Sequence, residues 1–292
     1  MSAPAEPASP APTGAQADEY GVIGHPVTHS WSPFIHELFA RETRQALLYR
    51  RHDVVPARFR EYVLDFAARG GRGLNVTVPH KGTAAQLADE LTARAERAGA
   101  VNTLTFDHGR IRGDNTDGAG LVTDLREHLA LRLGGARILL AGAGGAARGV
   151  LGPVLELGPA EVLVANRTSE RAHALAGEFA SLGSVRGCGF GELPRVAFDL
   201  IVNATAASLS GDVPPIPHAA VGSATVCYDM AYSRSDTPFV SWARERGCHR
   251  AMQGWVMLVE QAAESFAIWR GMRPSTAPVL ELLARTATEG PR

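Results

Sequence analysis

Within the first 120 residues, four short polar segments carry groups able to hold a small polar molecule and move a proton. His29-Ser30-Trp31-Ser32-Pro33 sets two hydroxyls, Ser30 and Ser32, at a strand-to-helix turn. Asn75-Val76-Thr77-Val78-Pro79-His80-Lys81 ends an otherwise apolar strand with a hydroxyl, Thr77, and an amine, Lys81. Ala100-Val101-Asn102-Thr103 adds an amide, and Gly113-Asp114-Asn115-Thr116-Asp117-Gly118 adds a carboxylate, Asp117. Taken singly, each is ordinary turn chemistry, because Ser, Asn and Asp satisfy nearby backbone groups. An amine and a carboxylate are also groups of the type that general acid–base chemistry uses.

A fifth segment concerns a nucleotide. Gly142-Ala143-Gly144-Gly145-Ala146-Ala147 fits G-x-G-x-x-A, with Arg148 next. The string alone is weak, but here it leaves an apolar strand and opens a helix, the context in which it binds a dinucleotide. Gly142 allows the tight turn, Gly144 lets backbone approach a pyrophosphate, and Ala147 lets helix and strand pack closely. The freed N–H groups and the helix dipole then face the phosphates. At the end of the following strand an NAD site places an acid for the ribose 2′-hydroxyl. This chain offers Asn166-Arg167-Thr168, with Arg171 a turn later, and these suit a 2′-phosphate.

The elements that must position these groups alternate. YGVIG (20–24) reads as a strand, and Ser32-Pro33 as a helix opening with Ser at the N-cap and Pro following. Phe34, Ile35, Leu38 and Phe39 give that helix an apolar face. Residues 47–52 read as a strand, 57–68 as a helix with Phe59, Val63 and Phe66 inward, and LNVTVP as a strand ending at Pro79. After a glycine-rich loop from Gly113 to Gly120, ARILLAG, AEVLVANR, FDLIVNAT and TVCYDMAY read as strands separated by helices. Strands apolar throughout belong to a parallel sheet covered on both faces. The last forty residues read as helical, with Trp255, Leu258, Val259, Ala262, Phe266 and Trp269 at compatible spacing.

Composition excludes several classes. The net charge of −1 draws the chain neither to nucleic acid nor to an anionic membrane. No apolar run reaches the roughly 18–20 residues that a membrane span needs. Three cysteines without a C-x-x-C pair, Cys188, Cys227 and Cys248, suit a reducing cytoplasm and no thiolate zinc site. His25, His29 and His36 are expected to be loop and helix-surface residues rather than metal ligands, because Pro26 breaks any helix aligning the first two. No metal is expected. Residues 1–18, rich in Ala, Pro and Ser, read as a disordered extension and not a signal peptide.

In this order the segments resemble the shikimate dehydrogenase family. The resemblance rests on H-S-x-S-P-x-x-H, N-V-T-V-P-x-K, A-G-A-V-N-T, G-D-N-T-D-G, G-A-G-G-A-x-R, N-R-T, Y-D-M-x-Y and M-L-V-x-Q-A, and runs from about Tyr20 to the final helix. It implies an α/β protein with an N-terminal substrate domain (19–117 plus 255–292) and a Rossmann-like NADP domain (118–254). The C-terminal helices would return to the first domain, and the reaction would occur in the cleft between the two. By position, Ser30 and Ser32 are expected to bind the substrate carboxylate, and Thr77, Asn102 and Gln261 the ring hydroxyls. Lys81 and Asp117 are expected at the reacting hydroxyl, with Tyr232 on the substrate side. Met230 and Gly254 fall near the nicotinamide; Ala143 to Arg148 and Asn166 to Thr168 fall on the NADP segments. Two stretches depart from the family pattern: Asn203-Ala204-Thr205-Ala206 for N-A-T-S, and Gln253-Gly254-Trp255-Val256-Met257-Leu258 for D-G-L-G-M-L.

The implied reaction is reversible reduction of 3-dehydroshikimate to shikimate by NADPH, on the route to chorismate and the aromatic amino acids, in a cytoplasmic monomer or homodimer. Competing readings are a quinate or amino-shikimate dehydrogenase, a non-catalytic NADP-binding sensor, and a folate-linked dehydrogenase of similar architecture. Retention of Lys81 and Asp117 disfavours the sensor, and the paired serines with N-R-T disfavour the folate enzyme.

Overall fold

The computed structural model describes residues 17–288. They form two compact units, one running to Thr116 and resuming at Leu258–Thr288, the other spanning Asp117–Met257. The division thus falls before Asp117 and inside a helix, rather than after Asp117 and before Trp255.

The first unit runs β1 (Asp18–Gly24), α1 (Ser32–Glu42), β2 (Leu47–Asp53), α2 (Phe59–Ala68), β3 (Gly73–Val76), α3 (Lys81–Leu87), β4 (Glu90–Leu91), α4 (Ala93–Ala98), β5 (Thr103–Asp107) and β6 (Arg110–Asp114). Its sheet has the order β2-β1-β3-β5-β6-β4. The β1 strand is parallel to β2 and β3, while β3–β5 and β5–β6 are antiparallel. The hairpin β5–β6 turns at His108 and Gly109, both at positive φ (48° and 75°), as a two-residue turn requires. On α2, Phe59, Val63 and Phe66 are buried as their spacing predicts. They pack with Ile23, Leu74, Val76 and Leu104 from the sheet.

Three expectations are corrected here. Residues 1–16 of the expected extension lie outside the described residues, but Asp18 pairs with Leu47 as the first residue of β1 and meets Arg72 at 3.2 Å and Arg270. The N-cap of α1 is Trp31, so Ser32 is the first helical residue; the Ser30 hydroxyl accepts the Ser32 N–H at 3.3 Å. His36 is not a surface residue. Its ring is wholly buried, stacked on Tyr49 at 4.2 Å beside Phe39, Phe266 and Trp269.

The second unit runs α5 (Asp117–Thr123), β7 (Arg137–Ala141), α6 (Gly145–Leu155), β8 (Glu161–Asn166), α7 (Ser169–Phe179), β9 (Val185–Gly189), β10 (Leu200–Asn203), β11 (Val226–Asp229), α8 (Pro238–Glu245) and β12 (Arg250–Gln253). The chain continues through α9 (Trp255–Arg270) to α10 (Ala277–Thr288). Its sheet is parallel, ordered β12-β11-β10-β7-β8-β9. Counted within the unit, this is the dinucleotide-binding order 3-2-1-4-5-6 read from its far edge. Both faces are covered, which explains the unbroken apolar runs. Along β7, Ile138 and Leu140 enter one core while Leu139 and Ala141 enter the other.

The C-terminal helices belong to the first unit from Leu258 onward. On α9, Trp269 donates from Nε1 to the Leu104 carbonyl at 3.0 Å, and between α9 and α10 Ser275 N donates to the Glu42 carboxylate. No helix among the described residues is long and apolar enough to cross a membrane, and none of them form a group of three or more His, Cys, Asp or Glu able to hold a metal ion.

Candidate active site

In the first unit, the predicted polar residues gather where β1 and β3 end. Ser30 and Ser32 are buried with hydroxyls 3.1 Å apart, and Arg51 donates from Nε to the Ser30 carbonyl at 2.9 Å. The pair sits at the N-terminus of the eleven-residue α1, where hydroxyl donors and the helix dipole both favour a carboxylate. Thr77 follows β3 directly, and its N–H donates to Ile23 O at 2.9 Å. Gly24 makes that fit possible: a Cβ there would meet Thr77 Cγ2 at 2.4 Å. Sequence reasoning did not single out Gly24.

Lys81 opens α3 on a rigid footing. The preceding His80 is buried, its Nε2 2.7 Å from Val54 O and its ring stacked on Phe59 at 4.6 Å. The Lys81 carbonyl accepts from Val101 N at 2.9 Å, which brings it next to the segment containing Asn102. Asn102 lies beside the end of β3, its carbonyl accepting Val76 N at 2.7 Å.

The structure then joins Asn102 to Gln261. Asn102 Nδ2 donates to Gln261 Oε1 at 3.3 Å and to Thr116 Oγ1 at 2.9 Å, while Thr116 N donates to Asn102 Oδ1 at 2.8 Å. A backbone N–H only donates, so it fixes which end of the Asn102 amide is oxygen. Gln261 is fixed in turn, since its Nε2 donates to Leu258 O at 2.8 Å. Both amides are therefore held in a defined orientation.

The turn carrying Thr116 is held by a charge clamp. Arg94 grips Asp114 through Nε at 2.6 Å and Nη2 at 3.0 Å, and Thr92 Oγ1 adds a bond at 2.7 Å. Burial alone would raise the Asp114 pKa, but Arg94 and Thr92 together hold it below the ordinary carboxylate range.

Asp117, buried, is the first residue of α5 and belongs to the second unit. The next residue must be glycine: a Cβ on Gly118 would stand 2.3 Å from Pro153 Cγ and 2.7 Å from Gly149 O, on α6.

The nucleotide segment has the geometry its glycines imply. Gly142 follows β7 with φ +113°, and a Cβ there would lie 3.0 Å from Ala204 O. Gly144 is the N-cap of α6, has no side chain to cap it, and faces open space where a Cβ would touch nothing. Ala147 is wholly buried, whereas Ala143, Gly145 and Ala146 remain partly exposed at the turn. Such a cradle of unshielded N–H groups at a helix N-terminus fits a pyrophosphate. At the end of β8, Asn166 Nδ2 donates to Thr168 O at 2.9 Å. Arg167, Thr168 and Arg171 are exposed, and neither guanidinium enters an ion pair among the described residues. That arrangement fits a 2′-phosphate. Arg148 differs: its guanidinium pairs with Glu178 on α7.

Met230 and Gly254 meet at the ends of β11 and β12. Met230 N donates to Asn203 O at 3.0 Å, and a Cβ on Gly254 would lie 2.6 Å from Met230 O. The Tyr232 ring lies 4.7 Å from that of Trp255, whose Nε1 donates to Ser233 O at 3.1 Å. Gln253 Oε1 accepts Ser233 N at 2.6 Å. The departures at Gln253 and Trp255 thus brace the loop that carries Tyr232.

Comparison with known proteins agrees with both halves. Residues 22–104 match the shikimate dehydrogenase substrate binding domain, 124–210 the shikimate/quinate 5-dehydrogenase model, and 254–284 the shikimate 5′-dehydrogenase C-terminal domain. A shikimate dehydrogenase (NADP(+)) of Methylococcus capsulatus is 53% identical over 269 residues, covering 92% of this chain and 96% of its own. Among solved structures, an Ael1 enzyme from Pseudomonas putida superposes with TM-score 0.84 at 45% identity, covering 91% of this chain and 98% of its own. The shikimate 5-dehydrogenase of Thermus thermophilus, solved with NADP(H) and shikimate, does so with TM-score 0.79 at 31% identity, over 92% and 99%. With two domains, each of the expected kind, and more than half its aligned residues shared with such a relative, the chain belongs to the shikimate dehydrogenase family.

Proposed function

We propose that this chain catalyses the reversible, NADPH-dependent reduction of 3-dehydroshikimate to shikimate, as a cytoplasmic monomer or homodimer. The observation that carries this reading is the Gly142–Gly144 turn in a 3-2-1-4-5-6 sheet, within a chain 53% identical to a shikimate dehydrogenase (NADP(+)) over 92% of its length. NADP, when bound, supplies or takes up the hydride. The remaining work falls to side chains of this protein. Ser30 and Ser32 hold the carboxylate, and Thr77, Asn102 and Gln261 hold ring hydroxyls. Lys81 gives a proton to the carbonyl oxygen in reduction and takes it from the hydroxyl in oxidation, with Asp117 orienting its amine. Gly142 to Ala147 cradle the pyrophosphate, Asn166 to Thr168 and Arg171 the 2′-phosphate, and Met230, Tyr232 and Gly254 border the nicotinamide and substrate.

The test is to follow NADPH absorbance with purified protein against 3-dehydroshikimate, and the reverse reaction with shikimate and with quinate. Turnover with quinate alone would move the assignment to that substrate, and no oxidation of NADPH would support a sensor.

Two further outcomes follow. NADP is expected to be preferred strongly over NAD, and Arg167→Ala to erase roughly 10- to 100-fold of that preference, since a charge-assisted hydrogen bond contributes about 1.5–3 kcal/mol. Equal kcat/KM for both cofactors in the unmutated enzyme would contradict it. Ser30→Ala/Ser32→Ala is expected to raise KM for shikimate more than it lowers kcat, because a remote carboxylate is held equally in ground and transition states. An unchanged KM places the carboxylate elsewhere.

A further inference from the structure

Behind the Asn102–Gln261 pair, within the first unit, lies a buried network built wholly from neutral hydroxyls and amides. Tyr49 OH donates to Asn75 Oδ1 at 2.7 Å. Asn75 Nδ2 reaches Ser265 Oγ at 2.9 Å, Thr103 Oγ1 at 3.2 Å and Asn102 O at 3.2 Å. Thr103 Oγ1 donates to Asn102 Oδ1 at 2.9 Å and lies 2.8 Å from Ser265 Oγ. Ser265 Oγ is also 3.2 Å from Thr116 Oγ1 and donates to Gln261 O at 3.1 Å. Thr103, Thr116 and Ser265 are completely inaccessible to solvent.

Hydrogen counting shows that the hydroxyls of this network are coupled to one another. Each hydroxyl has a single proton to give. Thr103 accepts from Asn75 and shares its one proton between Asn102 Oδ1 and Ser265 Oγ. Ser265 accepts from Asn75 and shares its one proton between Thr103 Oγ1 and the Gln261 carbonyl one turn back on α9. Thr103 therefore reaches one amide of the pair and Ser265 the backbone of the other, and the two hydroxyls touch. Each hydrogen-bond partner named here for the two hydroxyls is neutral, so their role is orientation and not proton transfer.

We propose that Thr103 and Ser265 are positioning residues: Thr103 holds the Asn102 amide, and Ser265 braces Thr103 and the Thr116 hydroxyl beside Gln261, in the orientation that selects a ring bearing hydroxyls. The proposal rests on the reading that Asn102 and Gln261 contact the substrate. Losing one neutral hydrogen bond of the network is expected to weaken binding by roughly 3- to 10-fold. The loss should fall on KM and not on kcat, because the ring hydroxyls are held alike before and during reaction.

The test compares Thr103→Val, Thr103→Ser and Ser265→Ala with the unmutated enzyme. KM and kcat are measured for shikimate and NADP, shikimate binding by calorimetry, and the thermal midpoint alongside. Thr103→Val and Ser265→Ala are expected to raise KM and the shikimate Kd together, with kcat and the KM for NADP within about twofold, since the loss is confined to uniform substrate binding. Thr103→Ser, which keeps the hydroxyl, is expected to recover most of the binding. The double variant Thr103→Val/Ser265→Ala should lose less than the product of the single losses, as groups of one network are not additive. Normal shikimate binding in both single variants overturns the proposal, and so does a Thr103→Ser enzyme as impaired as Thr103→Val. Asn102→Ala separates the layers. If it weakens binding while Thr103→Val does not, only the positioning role fails; if it binds shikimate normally, the substrate role of Asn102 fails with it.

Discussion

Lys81→Ala is expected to lower kcat by roughly 10²- to 10⁴-fold, the range over which a positioned general acid–base group acts. Two features of the fold support so large an effect. Lys81 begins α3 directly after His80, whose ring is pinned between Val54 O and Phe59, and its own carbonyl is tied to Val101. The backbone that aims the amine is therefore rigid, and other side chains are poor substitutes for it. Shikimate binding should weaken far less, because Ser30, Ser32, Thr77 and Asn102 remain. Asp117→Asn should also reduce the rate, since it removes the charge that orients the ammonium. The double variant should lose much less than the product of the two, as residues acting as a unit do. A correctly folded Lys81→Ala enzyme within about threefold of normal kcat would exclude Lys81 from proton transfer, which should cost at least ~10²-fold. Fully multiplicative losses would mean that the two residues work independently.

The second large effect is on stability in acid, and it comes from His36. Its ring lies in an aromatic shell of Phe39, Tyr49, Phe266 and Trp269, and neither nitrogen meets a hydrogen-bonding group in good geometry. Burial pulls its pKa from 6.5 down to about 3, and the nearby Asn75 amide opposes this only in part. Between these values the unfolded chain binds a proton at His36 that the native protein does not. Stability then rises with pH across that window and is lost as pH falls through it. The full shift corresponds to about 5 kcal/mol, of which about 3 kcal/mol is already lost at pH ~4.5. Urea unfolding of the native sequence and of His36→Phe, at neutral pH and near pH ~4.5, isolates this contribution from other titrating groups. The phenylalanine variant keeps an aromatic ring in the stack and should show a shallower acid decline. Identical declines for the two proteins would mean that His36 takes up its proton without cost in the fold.

Local pattern carried a large part of the architecture. The runs ARILLAG and AEVLVANR alternate between two cores, so they could only be central strands of a covered sheet, and β7 and β8 are such strands. The glycines of the nucleotide turn were equally legible, because positive φ at Gly142 and open space at Gly144 are properties of the backbone itself. The hairpin β5–β6 was also written locally, in the alternation of TLTFD and RIRGD about His108-Gly109, although the glycines that follow it draw the eye to a loop instead. The β9 strand was harder. Its Gly187 disfavours a strand, and only packing explains it: a Cβ there would stand 2.3 Å from the Ala172 backbone of α7.

Tertiary structure alone decided how the site is wired. Gln261 lies 159 residues from Asn102, and Ser265 lies 190 residues from Asn75, yet each pair is hydrogen-bonded. Periodicity reports which face of an element is apolar, but not which distant polar group satisfies a buried one. The same limit separates Arg148, which the nucleotide motif includes but which turns to Glu178, from Arg167 and Arg171, which stay exposed. It also explains His36, whose motif position is visible in the sequence while its aromatic burial arises only when α9 returns to cover α1 and β2. The kinds of chemistry were set by residue type and local spacing. Orientation, burial and protonation were set by contacts between segments that the chain brings together only on folding.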